Sequence, residues 1–493
     1  MGVVARQGLK YGIVSYLSFL LGTISTIFIY PSNPEFLGKI RFVQPSAEII
    51  YPFVVFGLSY ANIRFHQRFK AKNQQVDFLW FSLKCLAFNY VIIVLIYWLL
   101  AVLFPRVAQS DSWEMRQFVL PVVLILAVTQ LLARYITNFK RVAVTGIFEN
   151  FFPKVGSLTA FLLCVYLGFS VTFSLYVFVG FFALAAIGLV FYFFRLNKDH
   201  KSGSLSILDD KKFRSELFFF CLFSLLGNVG NQWALRIDNF MIAELIDYKQ
   251  NGIYSILMSI VGFLTVPLLG IYAISGPVIV EKLEYNKLDD LNEFYQKVSK
   301  FLFLFGTVLL ACIFAGMDYL FALMNNGQDL LNAKSVVYIL GVATLFDLAT
   351  GFNSQIISYS KYYRFNIYAL LFLAVVTILL NWIFIVYFGW GIEGVALATA
   401  VSLTLFNIIK LIFNYRKFGI YPFSKVYISI LSIGILGVFL AWILPDFKNN
   451  FLNLFLKPSI VFLLFLVGNV FFKFISFKEI LNTNLKTFLT GKK

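Results

Sequence analysis

LFFFCLFSLLGNVGNQWALRIDNFMIAELI, residues 217–246, decides how this chain is read. It has the length and apolarity of a membrane-crossing helix, yet it carries Arg236 and Asp238. A charged side chain in hydrocarbon costs roughly 2.5–3.5 kcal/mol on insertion scales. Such residues persist where they meet a polar cavity or a partner. Two positions on a helix are about 200° apart, so Arg236 and Asp238 cannot pair with each other. Each needs water, a substrate or another helix, which makes the chain a transporter candidate.

The rest of the sequence agrees with a membrane location. Apolar residues make up 60%, charged residues 13%, and there are 60 phenylalanines. That is too little charge to coat a water-soluble surface. Long apolar runs recur at about 9–30, 42–63, 78–104, 117–136, 152–168, 171–194, 215–245, 252–275, 301–323, 334–357, 365–388, 392–413, 424–444 and 458–475. They are continuous rather than alternating, which argues against a β-barrel. The expected fold class is therefore all-α, a polytopic membrane protein with about fourteen transmembrane helices. The first run is too long for a signal-peptide core and reads as a retained helix. The seventh, at roughly 46 Å of helix, should project beyond the hydrocarbon.

Placing alternate connections on opposite sides separates the charges. The side holding both termini collects 31 lysines and arginines and the other eight, with Lys84 and Arg236 inside spans. By the positive-inside rule both termini are cytoplasmic and the span count is even. The net charge of +17 then expresses topology and attraction to anionic lipid, not nucleic-acid binding. Cys85, Cys164, Cys221 and Cys312 lie in apolar runs without C-x-x-C spacing, and the two histidines, His66 and His200, lie in basic loops. These patterns offer no metal site and no nucleophilic triad. The stretch 280–300 is expected to lie on the membrane surface, with Leu288, Leu291, Tyr295 and Val298 at helical spacing. The tail 478–493 looks similarly amphipathic through Leu481, Leu485 and Phe488.

Three spans carry polar faces. On the second, Arg41, Gln44, Glu48, Tyr51, Ser59 and Asn62 fall on one side, and Pro45 and Pro52 interrupt the backbone ladder. Broken helices of this kind often line transporter sites. On the seventh, Asn228, Asn231, Gln232 and Asn239 share a face that Arg236 and Asp238 flank. Counting rises puts Arg236 and Glu48 at similar depth toward the outer side, with interfacial snorkelling of Arg236 as the alternative. On the tenth, Asp347, Thr350, Ser354 and Ser358 align, and Asp347 is the deepest acid. Glu48, Asp238 and Asp347 are the ion-coupling candidates; the plain alternatives are a protonated or paired Glu48, an Asp238 hydrated beside a snorkelling Arg236, and a hydrogen-bonded structural Asp347. Gly8, Ser15, Gly22 and Thr26 form a small-residue packing face on the first span. The short outer loops contain no histidine, which disfavours a membrane polymerase or ligase.

Three stretches resemble the multidrug/oligosaccharidyl-lipid/polysaccharide flippase superfamily, and within it the polysaccharide branch of Wzx-type O-antigen flippases. They are PEFLGKIRFVQPSAEIIYPFVVFGLSYANIRF (34–65), RIDNFMIAELIDYKQNGIYSILMSIVGFLTVPLLGIYAISGPVI (236–279) and LLNWIFIVYFGWGIEGVALATAVS (379–402). The resemblance implies two six-helix lobes, 1–195 and 213–418, around a central cavity. A linker at 196–212, an added helix pair at 419–477 and the tail at 478–493 complete the domain organisation. It further implies a bacterial inner-membrane flippase that moves a prenyl-diphosphate-linked oligosaccharide by alternating access, for O-antigen, capsule or other exopolysaccharide. A cation-coupled multidrug exporter of the same fold is the alternative. Arg236, with Arg41, would meet the diphosphate, and Gln44, Glu48, Asn231 and Gln232 would line the cavity. The resemblance brings no cofactor and leaves the coupling ion, proton or sodium, open. Partners would be membrane lipid, the lipid-linked glycan and other polysaccharide-assembly proteins; the oligomeric state is not readable. The absence of arginine inside the first three spans, beyond their ends, separates the chain from the peptidoglycan-lipid branch.

Overall fold

A computed structural model describes residues 3–198, 205–472 and 474. His200, part of the 196–212 linker and the amphipathic tail 478–493 lie outside the described residues. Among those described, every regular element is helical, as a chain that must satisfy its own backbone in lipid requires.

Ten helices are long and apolar enough to cross a membrane, and two bent pairs bring the number to twelve. The expected fourteen are thus not all met. The fifth run forms only the 14-residue helix Phe152–Val165, which follows a π-helical turn at Ile147–Phe151, and the eighth is interrupted by a 3-10 turn at Phe263–Thr265; neither is among the twelve. The stretch 280–300 is not a separate surface helix. It is shared between Val266–Glu284 and the start of the 36-residue helix Leu288–Leu323. Leu291 and Tyr295 are fully buried against Ile279, Phe352, Ile356 and Ile420, so tertiary packing, not lipid, covers that amphipathic face.

The chain divides into two compact units, residues 1–256 with 370–395, and residues 257–369 with 396–493. The units cut the chain elsewhere than the lobes read from the sequence, because helix Lys211–Leu245 groups with the N-terminal helices.

Each unit contains one bent pair. In the first, Pro34–Val55 and Leu58–Arg64 meet at 57°. Asn33 caps the helix start by accepting from Phe36 N at 3.0 Å. The helix runs through both Pro45 and Pro52 and breaks only beyond them, at Phe56 and Gly57, which adopt left-handed φ of 48° and 73°. Glycine is required at 57, since a Cβ there would sit 2.2 Å from Cys221 O. In the second unit, Ser335–Ala349 and Asn353–Tyr359 meet at 48° around Gly351.

The C-terminal helix pair, Val426–Ile443 and Asn450–Phe472, is held at its loop by Lys457. Its buried amine donates to Ala441 O at 2.8 Å and pairs with Asp446 at 2.9 Å. These carbonyls end a helix and have no intrahelical donor. The Tyr319 hydroxyl and Lys457 hold the exposed Asp446 carboxyl below the usual carboxylate range. A depressed acid stabilises the fold above its unfolded pKa, and that contribution fades as pH falls through the depressed value. Lys457→Met should therefore lower stability by about 1–3 kcal/mol. Thermal unfolding in detergent reads this, and the difference from wild type should narrow in strong acid.

Candidate functional site

In the first unit, helices Pro34–Val55 and Lys211–Leu245 meet along a run of polar contacts. Arg41, Gln44, Glu48 and Tyr51 recur at helical spacing on one helix, and Asn228, Gln232 and Arg236 recur every fourth residue on the other. Arg236 Nε pairs with Glu48 Oε2. It is an ionic contact without hydrogen-bond alignment. Gln44 donates to the other Glu48 oxygen at 2.8 Å. Tyr51 accepts from Gln232 at 3.0 Å and donates to Asn228 at 3.5 Å. Trp233 fixes the alignment by donating its indole N–H to Ile49 O at 3.2 Å.

Arg41 lies one turn before Gln44. Its Nε is buried and has no hydrogen-bond partner among the described residues. Its electrostatic neighbours are Tyr30, Arg236 and Glu48, and Lys154 adds a further positive charge nearby. Lys154 itself donates to Ser18 O at 3.0 Å. The site thus gathers Arg41, Arg236 and Lys154 around one acid, Glu48, that is already paired. A guanidinium whose buried Nε lacks an acceptor carries a desolvation penalty that an anion would relieve.

Asp238 faces another way. Tyr254 OH donates to Oδ2 at 2.9 Å and Asn381 Nδ2 to Oδ1 at 2.8 Å, with the residue 6% exposed. Next to it, Asn239 donates to Asn251 and Ser255 at 2.9 and 2.8 Å, and Asn251 donates to Gly38 O at 2.9 Å. The two charges that sequence places side by side therefore serve different helices. Asn231 is exposed and makes no hydrogen bond among the described residues, so it stands outside the polar run.

In the second unit the polar groups collect at the bend near Gly351. Asn407 Nδ2 donates to Asp347 Oδ1 at 2.8 Å, while Asn407 Oδ1 accepts from Thr350 and Asn353 at 3.3 and 3.2 Å. Carbonyls freed by the break find donors: Tyr295 on Thr350 O at 2.7 Å, and Tyr272 on Gly351 O at 3.2 Å. Ser354 accepts from Lys410 Nζ at 2.8 Å. Lys410 is 2% exposed and lies 3.6 Å over the Phe406 ring. Asp347 is the acid whose field it feels. Ser358 is engaged separately, accepting from Asn366 at 3.0 Å.

Lys410 is the residue that sequence reasoning missed. It sits close enough to the basic end of its span to be counted with the loop charges. The signal was present in LFNIIKLIFNY, 405–415, where one charge has apolar turns on both sides.

Comparison with known proteins fits this architecture. Residues 224–383 match the MatE family model. A lipid II flippase MurJ structure, in an inward closed conformation, superposes with a TM-score of 0.68 at 16% identity. The alignment covers 94% of this chain and 98% of that one. The family model spans about a third of the chain, and the superposition shows a shared fold. An inward-facing multidrug resistance MATE transporter of the multidrug/oligosaccharidyl-lipid/polysaccharide superfamily gives a TM-score of 0.61 at 16% identity. It covers 82% of this chain and 94% of its own. No curated protein matches the chain. At these identities the structural likeness speaks for the fold. The chain is thus a multi-pass helical protein, by the length and apolarity of its helices, with the fold of these transporters, and its own function must be argued from the site.

Proposed function

We propose that this chain is a transporter of the multidrug/oligosaccharidyl-lipid/polysaccharide superfamily, a flippase for a prenyl-diphosphate-linked oligosaccharide in a bacterial inner membrane, with both termini cytoplasmic. The observation that carries the reading is the charge balance of the first-unit site. Half-buried Arg41, whose Nε is buried with no hydrogen-bond partner among the described residues, lies near Arg236 and Lys154, and Glu48 is held by Arg236 and Gln44. A diphosphate crossing hydrocarbon needs cations and polar donors along its path. A cationic drug needs the reverse, an acid free to receive it. Both Asp238 oxygens already accept hydrogen bonds from Tyr254 and Asn381, so this acid is engaged within the fold rather than held out to a cationic drug.

For energy coupling the second-unit network supports Asp347 together with Lys410. Both lie at a bend, so a change in their charge would alter the hydrogen bonds that hold it. A buried cation with one neutral acceptor adds little to stability, and replacing it by an apolar residue of similar volume is often neutral or stabilising. Lys410→Met should therefore accumulate normally and melt no lower than wild type, while transport falls about tenfold or more. Full transport in that variant removes Lys410 from the mechanism.

The deciding experiment depletes the protein in its native host. Lipid-linked glycan should build up on the inner leaflet while surface polysaccharide is lost. Unchanged glycan with raised sensitivity to cationic drugs would establish the exporter instead. Shortened polymer with intact translocation would indicate a polymerase or ligase.

A further inference from the structure

The first unit contains a second site, away from the polar run, at the basic end of helix Lys211–Leu245. A groove of ≈ 510 Å³ opens there between this helix, helix Gln75–Leu103 and the bend at Phe56–Gly57. Its wall is mostly apolar and includes Phe56, Phe81, Cys85 and Phe218. Two lining residues are strongly polar. Asn89 has its amide committed to Val54 O at 3.1 Å. Arg214 is exposed, and its guanidinium makes no ion pair or hydrogen bond among the described residues. Glu216, two residues on, is engaged elsewhere, pairing with Arg68 at 2.8 Å.

We propose that this groove binds one anionic phospholipid, with the headgroup phosphate on Arg214 and an acyl chain along Phe218, Phe81 and Phe56. Depth supports it. Arg214 lies in the first turn of its helix beside Lys211 and Lys212, where headgroups of an anionic leaflet sit. Phe218 follows one turn further in. On the facing helix, Phe81 and Cys85 lie roughly 9 and 15 Å from its basic end, within the reach of an acyl chain. Charge supports it too. A guanidinium offers a phosphodiester charge-assisted hydrogen bonds, and Arg214 is the cation that lines the groove. The positive end of the helix dipole adds to the attraction. Phe56 holds a left-handed backbone that bulky residues seldom adopt. A chain packed on its ring favours that conformation, so the lipid would stabilise the 57° bend.

Native mass spectrometry of the full chain in detergent, titrated with phosphatidylglycerol, tests this. Wild type should retain one lipid. Arg214→Ala should weaken retention about tenfold, and Arg214→Lys should keep most of it. Cys85→Trp, which fills the apolar part and leaves the charge, should weaken it as well. Arg214 is exposed, so its variants keep the fold; elution as a single species and an unchanged melting temperature confirm that. Retention unchanged in both Arg214→Ala and Cys85→Trp overturns the proposal. So does displacement by inorganic phosphate at similar concentration, which would mark a free-anion site. Displacement by farnesyl diphosphate at lower concentration than phosphatidylglycerol would assign the groove to the prenyl carrier and overturn it equally.

Discussion

Arg41→Ala should reduce glycan export by about 100-fold while leaving the protein as stable as wild type, or more so. The two halves have one cause. Arg41 Nε is buried without an acceptor, so in the empty protein its charge is a cost and removing it relieves that cost. Once a diphosphate arrives, the same charge becomes a desolvated partner for it. Truncating one side of such a pair costs 2–5 kcal/mol or more, equivalent to roughly 30-fold and upward. Export of labelled lipid-linked glycan into the outer leaflet of reconstituted vesicles measures the first half, and thermal unfolding in detergent the second. A variant that loses stability and export together would make Arg41 a structural residue.

Glu48→Gln separates the two transport readings by sign. Its carboxylate competes with an incoming anion for Arg236. Neutralising it should tighten binding of a diphosphate lipid severalfold, with export kept or slowed by late release. A cationic-drug exporter would lose its substrate affinity in the same variant.

Gly38→Val should prevent accumulation of folded protein. Helices Pro34–Val55 and Tyr248–Gly262 touch backbone to backbone at Gly38 and Gly252. A Cβ on Gly38 would lie 1.7 Å from Tyr248 O, and one on Gly252 would lie 1.8 Å from Pro34 O. Carbonyls cannot rotate away as a side chain can, so the helices must separate. Separation breaks the Asn251 bond to Gly38 O and disturbs Asn239, which donates to Asn251. Overpacking of about 1–3 kcal/mol or more then adds to the cost of buried amides left unpaired, about 1–3 kcal/mol each. Gly252→Ala should behave similarly. The double variant should be less harmful than the sum, because one separation relieves both clashes. The yield of monodisperse protein and its unfolding temperature read all three.

The helices themselves were legible in the sequence. Hydropathy is a property of consecutive residues, and a run such as 75–103 crosses a membrane whatever it packs against. The fifth and eighth runs exceeded what hydropathy can decide, since the α-helix of the fifth spans only Phe152–Val165 after a π-turn and the eighth is broken by a turn at 263–265, both matters of backbone geometry. Prolines misdirected the expected kink in a similar way. Pro45 and Pro52 lie within an unbroken helix, and the bend falls at Phe56–Gly57, where contact with Cys221 demands a residue without Cβ.

The candidate site was half legible. Arg41, Gln44, Glu48, Gln232 and Arg236 stood out because ionisable and amide groups in a span are expensive. Their partners did not, because partnership depends on which faces meet. Asp238 looked equivalent to Arg236 in sequence; the fold gives it to Tyr254 and Asn381. Lys410 looked like a loop charge until the fold buried it over Phe406.

By itself the sequence determined that this is an all-helical membrane protein with charge inside its spans, since the cost of apolar and ionised groups in lipid is local and additive. Only the tertiary structure decided that Arg236 belongs to Glu48, that Asp238 is shared with two other helices, and that Arg41 Nε has no hydrogen-bond acceptor among the described residues. Those facts depend on contacts between residues far apart in the chain, and on a close approach at Gly38 and Gly252 that fixes which faces can meet.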